Sequence, residues 1–102
     1  MPRLGFFPRR DEGGSIGKPV TAYVLITVPA NNSGDLVHIL MERFPEFVLE
    51  AAAVYGEADV IAKIQTPSIS DLHELVMERI QNLPYVRVTR TFLIIPHLHE
   101  VR

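Results

Sequence analysis

"AAAVYGEADVIAKIQT", residues 51–66, decides the fold. Two apolar runs flank a short polar turn at Gly56, Glu57 and Ala58. Alternation from Asp59 onward, with Val60, Ala62 and Ile64 on one side and Ile61, Lys63 and Gln65 on the other, is the period of a strand. The run before the turn, "FVLEAAAVY" (47–55), reads as a strand in spite of its alanines, so the two form a hairpin. The turn holds more acid than a hairpin needs. Gly56 supplies a positive φ and Glu57 reads as a solvated loop acid, but Asp59 opens a strand and calls for a donor or a cation.

Helices lie on either side of this hairpin. Upstream, "NNSG" (31–34) makes a turn with Asn32 or Ser33 as the cap, and Leu36, Val37, Leu40 and Phe44 form an apolar stripe that Pro45 ends. Downstream, Ser68 with Asp71 three residues later has the spacing of a capping box. Ile69, Leu72, Leu75, Val76, Ile80 and Leu83 form the second stripe, closed by Pro84. Outside the helices, "VTAYVLITV" (20–28) and "VRVTRTFLII" (86–95) are β-branched and aromatic, as strands are. The order is βαββαβ. Two such halves with right-handed crossovers predict a ferredoxin-like α+β sandwich, with antiparallel sheet order 4-1-3-2 and both helices on one face.

Alternation then sorts the faces. Val20, Ala22, Val24, Ile26 and Val28 are expected beneath the helices together with Val60, Ala62 and Ile64. In the last strand Val86, Val88, Phe92 and Ile94 are the apolar set and are expected to join them, which also puts Arg90 under the helices. Thr89, Thr91, Leu93 and Ile95 then share the uncovered face with Tyr23, Leu25, Asp59 and Ile61. That face is too apolar for a solvated sheet in a monomer, and an identical subunit is the simplest cover.

The 102 residues suffice for one domain, and the absence of cysteine removes disulfides, thiol nucleophiles and cysteine metal sites. It also agrees with a cytoplasmic location. No apolar run reaches the length of a membrane span, and the N-terminus lacks the apolar core of a signal peptide. Residues 1–19 are rich in Gly and Pro without helix or strand period, and read as a flexible tail. Residues 20–96 are the domain, and 97–102 trail off. The tail holds Arg3, Arg9, Arg10 and Lys18 against Asp11 and Glu12, a balance of +2 that leaves −4 of the total −2 on the remainder. A domain of that sign is a poor match for a phosphate backbone, so direct nucleic-acid binding is not expected.

No nucleophile with a base, no phosphate-cradling glycine loop and no catalytic carboxylate pair stands out, so neither catalytic residues nor a cofactor are assigned. His38 and His73 read as helix-surface residues, and His97 and His99 lack further ligands nearby for a metal. Thr89 and Thr91 are good strand formers in their own right. If they share a face with Asp59, the intervening first strand still leaves about 10 Å between them, so one small ligand meets both sets only when two chains contribute.

"TAYVLITV", "VYGEADVIAKI" and "LPYVRVTRTFLII" together resemble the effector-binding (RAM) domain of the Lrp/AsnC family, through its G-x-x-D hairpin and its T-x-T last strand. The resemblance covers residues 20–96. It implies a non-enzymatic domain of transcription regulators that dimerises through its sheets and often builds octamers. It further implies that small effectors, usually amino acids, bind between subunits near the hairpin. Carried over by position, it picks out Gly56 and Asp59, with Tyr55, Glu57 and Ala58 as hairpin neighbours and Thr89 and Thr91 from another chain. Full-length members carry an N-terminal helix-turn-helix, for which the Gly/Pro tail is too short. The expectation is a stand-alone sensing module, able to co-assemble with a full-length regulator. Two rivals remain. The turn "NNSGDL" is similar to the ligand loop of ACT domains, which would place a ligand at Ser33–Gly34. Dimeric α+β barrel monooxygenases share the architecture and would make the protein an enzyme.

Overall fold

A computed structural model describes residues 19–56 and 58–102. Glu57 and the N-terminal tail, with Phe6, Phe7 and the Arg9–Arg10 pair, lie outside the described residues. Strand β1 is Val20–Thr27, followed by a 3-10 turn at Ala30–Asn32 and helix α1, Ser33–Arg43. Strands β2 (Val48–Ala53) and β3 (Val60–Thr66) form the hairpin. Helix α2 begins at Ile69–Glu74 and continues as a wider π-type turn over Leu75–Ile80, and β4 is Val88–Leu93. The sheet order is β2-β3-β1-β4, with every neighbouring pair antiparallel. This is the ferredoxin-like arrangement that the βαββαβ order predicts.

The core follows the expected stripes. Ala22, Val24 and Ile26 of β1 and Val60, Ala62 and Ile64 of β3 are buried against Leu36, Leu40 and Phe44 of α1 and Leu72, Leu75, Val76 and Ile80 of α2. At the start of α2, Ser68 Oγ accepts from the Asp71 N–H at 3.0 Å and donates to the Asp71 carboxylate at 2.8 Å. The helix therefore starts where the spacing of the two residues predicts. At its far end the Gln81 N–H bonds to the Val76 carbonyl at 3.0 Å, five residues back. Leu75, Val76 and Ile80 of this segment are buried in the core. Asn32 stands at the start of α1, but its amide donates to the Asp35 carboxylate at 3.1 Å and caps no backbone group.

In β2 the pairing steps from Val48 opposite Ile64 to Glu50 opposite Lys63, so Leu49 is an extra residue in a bulge. Residues directly opposite in an antiparallel pair point to the same face. Glu50 therefore shares the uncovered face with Lys63.

The same rule corrects the reading of β4. Thr89 lies opposite Ile26, Thr91 opposite Val24 and Leu93 opposite Ala22, all three partners being fully buried beneath the helices. Thr89, Thr91 and Leu93 thus point to the helix side, while Val88, Arg90 and Phe92 share the open face with Thr27, Leu25 and Tyr23. The expectation is inverted for this strand. Its cause is that β4 is an edge strand lying past the helices, with 48% of Leu93 and 52% of Phe92 exposed. The richer apolar set goes to the open face because the helices offer β4 little cover. Arg90, expected beneath the helices, is exposed on that face instead.

The open face is thus a grid of side chains. One row across the sheet is Glu50, Lys63, Tyr23 and Phe92, and the next is Ala52, Ile61, Leu25 and Arg90. Lys63 Nζ lies 6.0 Å from the centre of the Tyr23 ring, at the limit of a cation–π contact.

Candidate functional site

The β2–β3 hairpin closes where the Val54 N–H donates to the Asp59 carbonyl at 3.0 Å. Gly56 has φ +127°, a conformation that a side chain disfavours. A Cβ there would meet nothing within 4 Å in the chain, so backbone conformation rather than room calls for glycine. Tyr55 stands fully exposed at the tip, whereas Ala58 is buried.

Asp59 is bonded at three points. Its carbonyl closes the hairpin, its N–H donates to the Ile26 carbonyl at 3.0 Å, and its Oδ2 accepts from the Val28 N–H at 2.9 Å. The carboxylate is half-buried and takes the place of a further strand residue at the end of β1. A carboxylate so placed needs donors: the Val28 amide serves one oxygen, and among the described residues the second meets none.

Thr89 and Thr91 lie elsewhere. Thr89 Oγ1 donates to Gln81 Oε1 at 2.9 Å, and Gln81 Nε2 donates to the Arg87 carbonyl at 3.2 Å, tying the end of α2 to β4. Thr91 is exposed. Strand β1 separates both threonines from Asp59, and they point to the helix side of the sheet. Within one chain the hairpin and the threonines do not come together. Ser33 and Gly34, the ACT-like position, form the first turn of α1, with open space around Gly34.

One residue was misplaced by the sequence pattern and one was missed. Arg90 is on the open face, a placement that only the β4 register gives. Tyr85 has φ 75°, unusual for a residue with a side chain. It follows Pro84 in a turn where the Val86 N–H approaches the Leu83 carbonyl at 3.4 Å. That is the position where glycine or asparagine stands in a type II turn, and the Pro84–Tyr85 pair carried only half of the usual signal. Among the described residues, no group of three or more His, Asp or Glu side chains gathers to hold a metal, and no helix is long and apolar enough to cross a membrane.

A family model described as the Lrp/AsnC ligand binding domain matches residues 21–100. The chain belongs to this family. Among solved structures it is similar to FFRP-DM1, with 36% identity and a TM-score of 0.68 over 74% of this chain and 99% of that one. It is similar also to the hypothetical protein PHS023 from Pyrococcus horikoshii, with 34% identity and a TM-score of 0.67 over 79% and 99% of the two chains. The transcriptional regulator NMB0573 from Neisseria meningitidis, solved in complex with L-Met, shares the fold at 15% identity and a TM-score of 0.67; the match covers 79% of this chain and 53% of the regulator. A search of curated protein sequences finds no match. The domain is thus of an effector-binding, regulatory type.

Proposed function

We propose that the chain senses a small effector, an amino acid, in a pocket formed between subunits, and that it acts without catalysing a reaction. Tyr55, Gly56, Glu57, Ala58 and Asp59 of one chain supply the hairpin side, and Thr89 and Thr91 of another supply hydroxyls. The observation that carries this reading is the clamped hairpin. Asp59 fixes the loop through three hydrogen bonds and keeps one carboxylate oxygen for a ligand's ammonium group. Gly56 lets the backbone approach the ligand closely, with its amide turned to a carboxylate. The Lrp/AsnC membership supports an effector role, and the L-Met complex of the Neisseria regulator supports an amino acid as the class.

Two contacts are then needed. The apolar open face is covered by a second copy, giving a homodimer. The threonines point to the other side, so the pocket arises at a further contact between dimers, as in an octamer or in co-assembly with a full-length Lrp/AsnC regulator. The acidic balance of the domain favours a partner protein over nucleic acid as its direct contact, and a cytoplasmic setting suits a chain without cysteine.

A thermal-shift screen of the twenty amino acids, followed by calorimetric titration of a hit, tests the proposal. Charge-assisted contacts contribute roughly 1.5–3 kcal/mol each, so Asp59→Asn is expected to weaken binding about tenfold or more. Gly34→Ala is expected to leave it unchanged. Undiminished binding by Asp59→Asn, together with loss on Gly34→Ala, would transfer the site to the start of α1.

A further inference from the structure

The open face carries opposite charges on its two edge strands: Glu50 on β2 and Arg90 on β4. Among the described residues neither has an oppositely charged group within ion-pair distance. Lys63 stands opposite Glu50 in the ladder, but its ammonium lies near the Tyr23 ring and forms no ion pair with Glu50. Between the two edge strands lie Ile61 and Lys63 of β3 and Leu25 and Tyr23 of β1, with Phe92 beside Arg90 on β4. The carboxylate stands at one edge and the guanidinium at the other, with a largely apolar middle whose one cation, Lys63, lies near the Tyr23 ring.

We infer that this pattern fixes how a second copy covers the face: the two-fold axis runs along the strands, and Arg90 of each protomer pairs with Glu50 of its partner at the two rims. Sheets packed face to face lie about 10 Å apart, with strand directions within about 30°. A two-fold along the strands, midway between β1 and β3, leaves each row in register and exchanges left for right. Leu25 then meets the partner's Ile61, and Tyr23 meets the partner's Lys63. Arg90 stands over the partner's Ala52, with the partner's Glu50 the next residue on the same face, about 6.8 Å along the strand. The long Arg90 side chain spans that step.

The alternative axis, running across the strands, stacks β4 on β4 and β2 on β2. Each Arg90 then lies close to its own copy, each Glu50 likewise, and Lys63 lies over the partner's Ile61. Like charges gather at both rims, and no carboxylate comes near a guanidinium. Electrostatics therefore selects the lengthwise axis.

The inference rests on the sheet-to-sheet dimer proposed above, and the test separates the two. Sedimentation equilibrium gives the dimer dissociation constant of the wild type, Glu50→Arg, Arg90→Glu and the double exchange at low and at 0.5 M salt. Both positions are exposed, so unchanged circular dichroism and melting of the soluble species are expected. Each single reversal sets like charges together at both rims of the symmetric dimer and is expected to weaken association about tenfold at low salt, less at high salt. The double exchange is expected to recover affinity to within about threefold of the wild type. A monomeric wild type would overturn the dimer itself. A dimeric wild type whose double exchange is as weak as the product of the singles would overturn the Arg90–Glu50 pairing and leave the dimer standing.

Discussion

Replacing Asp59 by alanine removes the acceptor for the Val28 N–H at the end of β1, a bond of 2.9 Å to a residue that is 3% exposed. Water reaches so buried an amide poorly, so the loss includes the cost of leaving it unpaired. Hydrogen bonds to charged groups contribute roughly 1.5–3 kcal/mol, and a central value of about 2 kcal/mol is expected here. For a domain of this size 1 kcal/mol moves the melting temperature by roughly 4–8 °C, so Asp59→Ala is expected to melt roughly 8–16 °C lower. Asp59→Asn keeps an oxygen acceptor of nearly the same shape and is expected to lose less than half of that. The two variants separate the structural bond from ligand binding. Alanine lowers stability and binding together, whereas asparagine lowers binding with a modest change in stability. Differential scanning calorimetry without ligand is the deciding assay. If Asp59→Ala melts within about 2 °C of the wild type, less than half a kilocalorie on the same scale, the Val28 bond does not hold the hairpin and the clamp argument falls.

Gly56→Ala places a side chain at φ +127° and is expected to destabilise the protein by about 1–2 kcal/mol, read as a lower urea midpoint; an unchanged midpoint would show that the loop relaxes to another conformation at no cost. Tyr85→Gly is expected to act in the opposite sense. Releasing a positive φ of 75° gains about 1–2 kcal/mol, the added freedom of the unfolded chain removes about 0.5–1 kcal/mol, and the remainder raises the urea midpoint. A lowered midpoint for Tyr85→Gly would mean that the tyrosine ring contributes contacts exceeding the strain.

Much of the fold was legible because it rests on periodicity. The stripes of α1 and α2, the Ser68–Asp71 cap and the alternation of β1 and β3 each place their residues without reference to distant parts of the chain. Strand β4 was misread because the rule that apolar residues turn toward helices assumes that only the helix side is dry. On an edge strand with an apolar open face that rule loses its sign, and only the register, Thr91 against Val24 and Arg90 against Leu25, decides. The Asp59 bond to Val28 was not legible either. The two residues are 31 positions apart, and nothing local marks Val28 as a donor in need. The hairpin itself, with Gly56 in a positive φ, was legible because glycine is the residue that such a turn demands.

The inverted register changes what an effector could do. With Thr89, Thr91 and Asp59 on one face, a single sheet-to-sheet contact would both bury the apolar surface and complete the pocket, and the effector would control dimerisation itself. With the threonines on the helix side, those two tasks fall to different contacts. The open face presents Tyr23, Leu25, Ile61 and Phe92, an apolar surface that needs cover whether or not an effector is present. On the proposed reading, a pocket that joins the hairpin of one chain to Thr89 and Thr91 of another would then form where dimers meet. The Gln81 side chain, held by Thr89 Oγ1 and the Arg87 carbonyl, lies at that side of the sheet and couples the end of α2 to the threonine strand. An effector bound in such a pocket would shift the equilibrium between assembled and separate dimers only as far as its differential affinity for the two allows. Effector concentration would then change assembly size while the dimer persists.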